Sequence, residues 1–118
     1  MGLDELEMRI DAILERDGRY RVEAYHFIIA ALNFTMQRLG KEQHVSAAEL
    51  LDGVREFGVD QFGPLTRTVF NHWGIARSSQ FGDIVWNLID AGVLGKRNQD
   101  RREDFDAAAF DLDTELSE

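Results

Sequence analysis

The stretch FNHWGIARSSQFGDIVWNLIDAGVLGK, residues 70 to 96, decides how this chain is read. Its apolar spacing closes at Gly74, a short polar run follows, a second apolar-periodic run spans about 78–91, and Val93-Leu94 departs after Gly92. In one dimension that is helix, turn, helix and departing strand, the outline of a helix-turn-helix with a wing. Gly74 followed by Ile75 fits a left-handed helix end closed by an apolar contact. Ser78 or Ser79 is placed to cap the next helix, whose inner stripe is Phe81, Ile84, Val85, Leu88 and Ile89. A glycine inside a helix costs about 1 kcal/mol against alanine, so Gly82 marks the close approach of another helix. Beyond Gly92, KRNQDRREDF supplies turn residues Asn98 to Asp100 between two short strands, which would form the wing.

Working outward, HVSAAELLDGVREFGVDQFG carries Ser46 and Glu49 at capping-box spacing, so a helix begins at Ser46, with Val45 stapled onto Leu50. Its inner face is Leu50, Leu51, Val54 and Phe57, continued by Val59 and Phe62. Pro64 suits the first turn of a fourth helix, where its missing N–H costs nothing, with Leu65, Val69 and Phe70 facing inward. Near the start, Leu3, Leu6, Ile10, Ile13 and Leu14 recur at helical spacing over about 3–16, and Gly18 is placed to end that helix. Between about 20 and 39, Tyr25, Phe27, Ile28, Ile29, Leu32, Phe34 and Met36 leave little polar circumference. A helix apolar nearly all round belongs at the centre of a domain; Gly40 closes it. The fold reading is therefore mainly α, about five helices, with a winged-helix-like C-terminal half and a short β-hairpin wing. It places one domain over 1–112, made of an N-terminal helical pair (1–40) and a winged-helix-like unit (45–106), and an acidic mobile tail over 113–118.

The net charge of −9 over 118 residues is unevenly spread. Residues 1–44 carry eight acids and six bases, residues 45–99 six acids and five bases, and residues 100–118 eight acids and two bases. The body is nearly neutral and the overall acidity is a property of the end. With no cysteine there is no disulfide framework, thiolate metal site or cysteine nucleophile, which suits a reducing compartment. The start MGLDELEMRIDAILERDG is acidic and amphipathic, without the basic and apolar regions of a secretion signal, and Glu5-Leu6 stands where a myristoylation signal wants Ser or Thr. Even YHFIIAALNF is too short to span a bilayer. The expected setting is cytoplasmic, with no membrane partner.

The stretches RYRVEAYHFIIAALNFT, HVSAAELLDGVREF, QFGPLTRTVFNHWGI, FGDIVWNLIDAGVLGK and REDFD, together spanning about 19–106, resemble a small conserved bacterial family of hypothetical proteins with no assigned function. The resemblance implies a bacterial origin and a shared fold, and it brings no catalytic residue and no cofactor.

Catalytic signatures are missing from the sequence. His26, His44 and His72 have no second histidine three to five residues away, so their spacing supports no metal site. His26 reads as a core histidine, and His72 beside Trp73 as packing at a helix end or else as a surface pair. The paired acids Asp100 with Glu103 and Asp104 with Asp106 lack the spacing of a calcium loop, and GKRNQD lacks the upstream glycine of a phosphate loop. No nucleophile has its base, so the expectation is no enzyme and no cofactor. In a winged helix, the outer face of helix 78–91 would enter the major groove. That face reads Ser79, Gln80, Asp83, Asn87 and Asp90, without the Lys or Arg that supplies most phosphate affinity. Basic residues stand beside it instead: Arg67 and Arg77 in the body, Lys96, Arg97, Arg101 and Arg102 in the wing. Two readings compete. One is a non-catalytic protein-interaction module, with a candidate surface of His72, Trp73, Arg77, Lys96, Arg97, Arg101 and Arg102. The other is a DNA-binding regulator using a basic wing. The acidic face of helix 78–91 favours the first, and neither fixes the oligomeric state.

Overall fold

A computed structural model of the chain describes residues 1–40, 45–95 and 102–116. Its helices are α1 (Leu3–Arg16), α2 (Val22–Leu39), α3 (Ala47–Phe62), α4 (Thr66–His72), α5 (Phe81–Asp90), α6 (Arg102–Ala107) and α7 (Leu112–Glu115), with 3-10 turns at Gly63–Leu65 and Ser78–Gln80. No strand occurs among the described residues, and no helix there is long and apolar enough to cross a membrane.

α2 is the centre, packed against α1, α3 and α5. Its Ala24, Tyr25, Phe27, Ile28, Ala31 and Thr35 are buried. Phe27 is the hub: its ring lies 5.3–6.1 Å from those of Phe57, Phe62, Phe70, Trp73 and Phe81, so one side chain joins α2 to α3, α4 and α5. Such tilted and edge-on pairs each add to the gain from area burial. The apolar circumference of α2 does not bury every residue, however. His26 is half-exposed, with Nε2 2.9 Å from the Glu7 carboxylate on α1, and so is not a core histidine.

Small residues set how closely the helices meet. A Cβ on Gly53 would collide with the Thr35 hydroxyl across the α2–α3 crossing, and one on Gly58 would lie 2.9 Å from Thr66 and 3.0 Å from Phe70 on α4. The capping box at the start of α3 is complete: the Glu49 N–H donates to Ser46 Oγ at 3.1 Å and the Ser46 N–H to Glu49 Oε1 at 2.9 Å. The α3–α4 turn differs from expectation on its outer side, since Val59 and Leu65 are exposed by 44% and 62%. α4 and α5 end alike. The Ile75 N–H donates to the Phe70 carbonyl and the Val93 N–H to the Leu88 carbonyl, both at 2.9 Å, with Gly74 and Gly92 at φ +93° and +78°. These left-handed ends satisfy carbonyls that would otherwise lack donors.

Among the described residues no β-hairpin wing is formed. Val93 and Leu94 both direct their N–H groups at Leu88, at 2.9 and 3.3 Å, so the residues expected to open the first strand instead finish the cap of α5. The residues expected in the second strand are α6, with Glu103 and Asp104 in its first turn where the helix dipole favours negative charge. α6 is held by Phe105, 4% exposed, which lies against Gly82: a Cβ there would come within 2.8 Å of the ring. Gly82 thus marks the close approach expected of it. The turn residues Asn98 to Asp100 lie outside the described residues.

Ser78 is not a helix cap. Its buried hydroxyl accepts from the Phe110 N–H at 2.8 Å and lies 3.0 Å from the Phe110 carbonyl, fastening the C-terminal segment across the body. Within the stretch expected to be an acidic mobile tail, Leu116 and Asp113 meet the body. Leu112 and Leu116, one helical turn apart, are 3% and 4% exposed, and Asp113 meets Arg67 Nε at 3.0 Å.

Candidate functional site

The outer face of α5, which would read bases in a winged helix, is already engaged. The linker between α1 and α2 runs across it. Tyr20 Oη donates to Asp83 Oδ2 at 2.6 Å, and Arg19 Nη1 reaches the same oxygen at 3.3 Å. The Asn87 amide donates to Asp17 Oδ2 and to Tyr25 Oη, both at 3.0 Å. α1 adds two clamps on the backbone at the end of α5: Arg9 Nη1 donates to the Ala91 carbonyl at 2.9 Å and Arg16 Nη2 to that of Asn87 at 3.3 Å.

The electrostatics of this network follow from its pairs. Arg19 holds Asp17 with two side-chain bonds of 2.8 and 2.9 Å and keeps its carboxyl well below the usual carboxylate range, against the opposing effect of burial. Asp17 in turn raises Arg19. Burial, and then the bond to Asp83, pushes the Tyr20 phenol up, and burial raises Tyr25. Both phenols therefore stay neutral hydrogen-bonding groups near neutral pH.

Beside this network the linker and the end of α4 leave an open cleft of about 560 Å³. That size is within the range of small-ligand pockets. Its walls come from Leu14, the linker residues 18–21, the first turn of α2 and residues 71–74. Two backbone contacts fix its shape. The Arg21 N–H donates to the Trp73 carbonyl at 3.1 Å, and Gly74 passes so close to the linker that a Cβ there would lie 2.5 Å from the Arg19 carbonyl. At the rim, Arg21 Nη2 stands 3.2 Å from His72 Nε2. The guanidinium can only donate, so a hydrogen bond between them has the imidazole nitrogen as acceptor.

The residues singled out from the sequence divide accordingly. His72 and Trp73 both line this cleft, His72 exposed and Trp73 only 7% exposed, its ring packed against Phe27, Phe62 and Phe70. Arg77 is exposed just before the 3-10 turn and is not among the residues lining the cleft. Lys96, Arg97 and Arg101 lie outside the described residues, and Arg102 opens α6. Arg19 and Arg21 were not foreseen. Their only sequence signal is the RYR run between two helical stripes, and the contact with His72 depends on a turn fifty residues further on. Among the described residues no cluster of three His, Asp or Glu is placed to hold a metal ion. Compared with family models, curated proteins and solved structures, the chain matches none.

Proposed function

We propose that the chain is a non-catalytic protein-interaction module that docks its partner in the cleft between the α1–α2 linker and the end of α4. The observation that carries this reading is the disposition of the two polar surfaces. The outer face of α5 is closed by Asp17, Arg19 and Tyr20, so entry into a DNA groove would require breaking four side-chain hydrogen bonds of 2.6–3.3 Å. The cleft beside it is open and combines an arginine, a histidine and apolar wall. A cytoplasmic setting belongs to the same proposal and rests on the cysteine-free composition.

The test is an anisotropy titration with random-sequence duplex DNA at low salt. The expected result is no salt-sensitive binding. Micromolar binding that weakens steeply with salt, and that disappears when Lys96, Arg97, Arg101 and Arg102 are replaced together by Gln, would overturn the reading in favour of a DNA-binding regulator.

A further inference from the structure

The chain has 22 acidic and 13 basic residues, and among the described arginines Arg16, Arg21 and Arg77 form no ion pair with a described carboxylate. Arg9, Arg19, Arg38, Arg55 and Arg67 all meet carboxylates. Arg21 does not. Its guanidinium stands 3.2 Å from His72 Nε2, and no carboxylate among the described residues pairs with it. The pair stands at the rim of a cleft whose apolar wall is Leu14, Val22 and Trp73.

From this charge complementarity we infer that the occupant of the cleft is an acidic peptide segment of the partner, its carboxylate seated between Arg21 and His72 and a neighbouring apolar side chain against Val22 and Trp73. The inference rests on the interaction-module reading and names the chemistry of its partner. Arginine receives a carboxylate through two parallel N–H bonds, a geometry it cannot make with a single imidazole nitrogen. When the carboxylate arrives, Arg21 turns from His72 to the acid, and an imidazole N–H can donate to the same carboxylate. The other ionisable groups on the walls are Arg19, Tyr20 and Glu23. Arg19 is held by Asp17 and Asp83, and the Tyr20 hydroxyl by Asp83. Glu23 repels a second acid, so one carboxylate flanked by apolar residues suits the cleft better than an acidic run or a polyphosphate.

The experiment titrates the ¹⁵N-labelled protein with two peptides, Ac-Ala-Leu-Glu-Leu-Ala-NH2 and its Gln counterpart, and separately with inorganic phosphate. The Glu peptide should move the side-chain resonances of Arg21, His72 and Trp73, and the Gln peptide should bind about tenfold more weakly or less. Arg21→Gln should lose the same factor with an unchanged melting temperature, Arg21→Lys should lose part of it, and His72→Gln should retain binding where His72→Phe does not. Equal binding of the two peptides in the cleft would overturn the carboxylate inference and leave the interaction reading standing. Shifts at Arg21 and His72 with phosphate and with neither peptide would overturn it in favour of a small-anion site. No cleft shift with any probe would overturn it as well, whereas the DNA titration alone decides the interaction reading.

Discussion

Gly82 and Asp83 are neighbours on α5, and the chain fixes them by opposite chemistry. At Gly82 the absence of a side chain lets the Phe105 ring of α6 lie on the backbone, a dry contact in which shape is everything. At Asp83 a carboxylate takes a phenol and a guanidinium from the linker between α1 and α2, a contact made of charge and hydrogen bonds. Burying an aromatic ring is worth about 1.5–3 kcal/mol. A charge-assisted bond at a partly exposed site contributes less, because water competes for both partners. The two sides of one helix should therefore respond to different perturbations: the C-terminal side to volume, the linker side to pH and salt.

The strongest way to break the contrast is Phe105→Ala, expected to cost about 3–5 kcal/mol in urea denaturation, as for other buried aromatics. Gly82→Ala sharpens it through the sign of its effect. Against Phe105 the new methyl must displace the ring and destabilise, while in the Phe105→Ala background the same change should stabilise by up to about 1 kcal/mol through helix propensity. If Gly82→Ala destabilised equally in both backgrounds, the notch would not be what the glycine serves. Next in size, Leu116→Ala should cost about 2–3 kcal/mol, since the leucine is buried with Leu112; a melting temperature unchanged by this substitution would return the last residues to a free tail.

The linker side has the smaller and pH-dependent effect. Asp17 has a depressed pKa in the folded chain, so its stabilisation is complete above the unfolded carboxylate value of about 3.9 and drains away as pH falls from there toward the folded value. Asp17→Asn should cost about 1–2 kcal/mol at neutral pH and flatten that acid limb, with Phe105→Ala leaving the limb's shape unchanged. Parallel acid limbs for wild type and Asp17→Asn would show that the network contributes nothing that titrates.

What was legible in the sequence depended on whether the signal was local. The bounds of α1 and α3 follow from stripes and a capping box, and Gly74 and Gly92 announce their helix ends because a left-handed residue followed by an apolar one has few other uses. The wing differs for the same reason that the cap is legible: β-branched Val93 and apolar Leu94 suit a strand as well as the apolar clasp of a helix end. Leu112 and Leu116 stand four residues apart, a helical spacing hidden among acids. The cleft was half legible. His72-Trp73 is conspicuous, but Arg21 reaches it only after α2 has been laid against α4, and no pattern within either segment encodes that approach.

The central place of Phe27 has a consequence for the newly made chain. The rings it meets belong to residues 57, 62, 70, 73 and 81, all later in the sequence. At ribosomal rates of about 5–20 residues per second, Phe27 is added roughly 3–11 s before Phe81. Over that interval Phe27 lacks the last of the rings that bury it. The packing around Phe27 is therefore completed only once α3, α4 and α5 have been made.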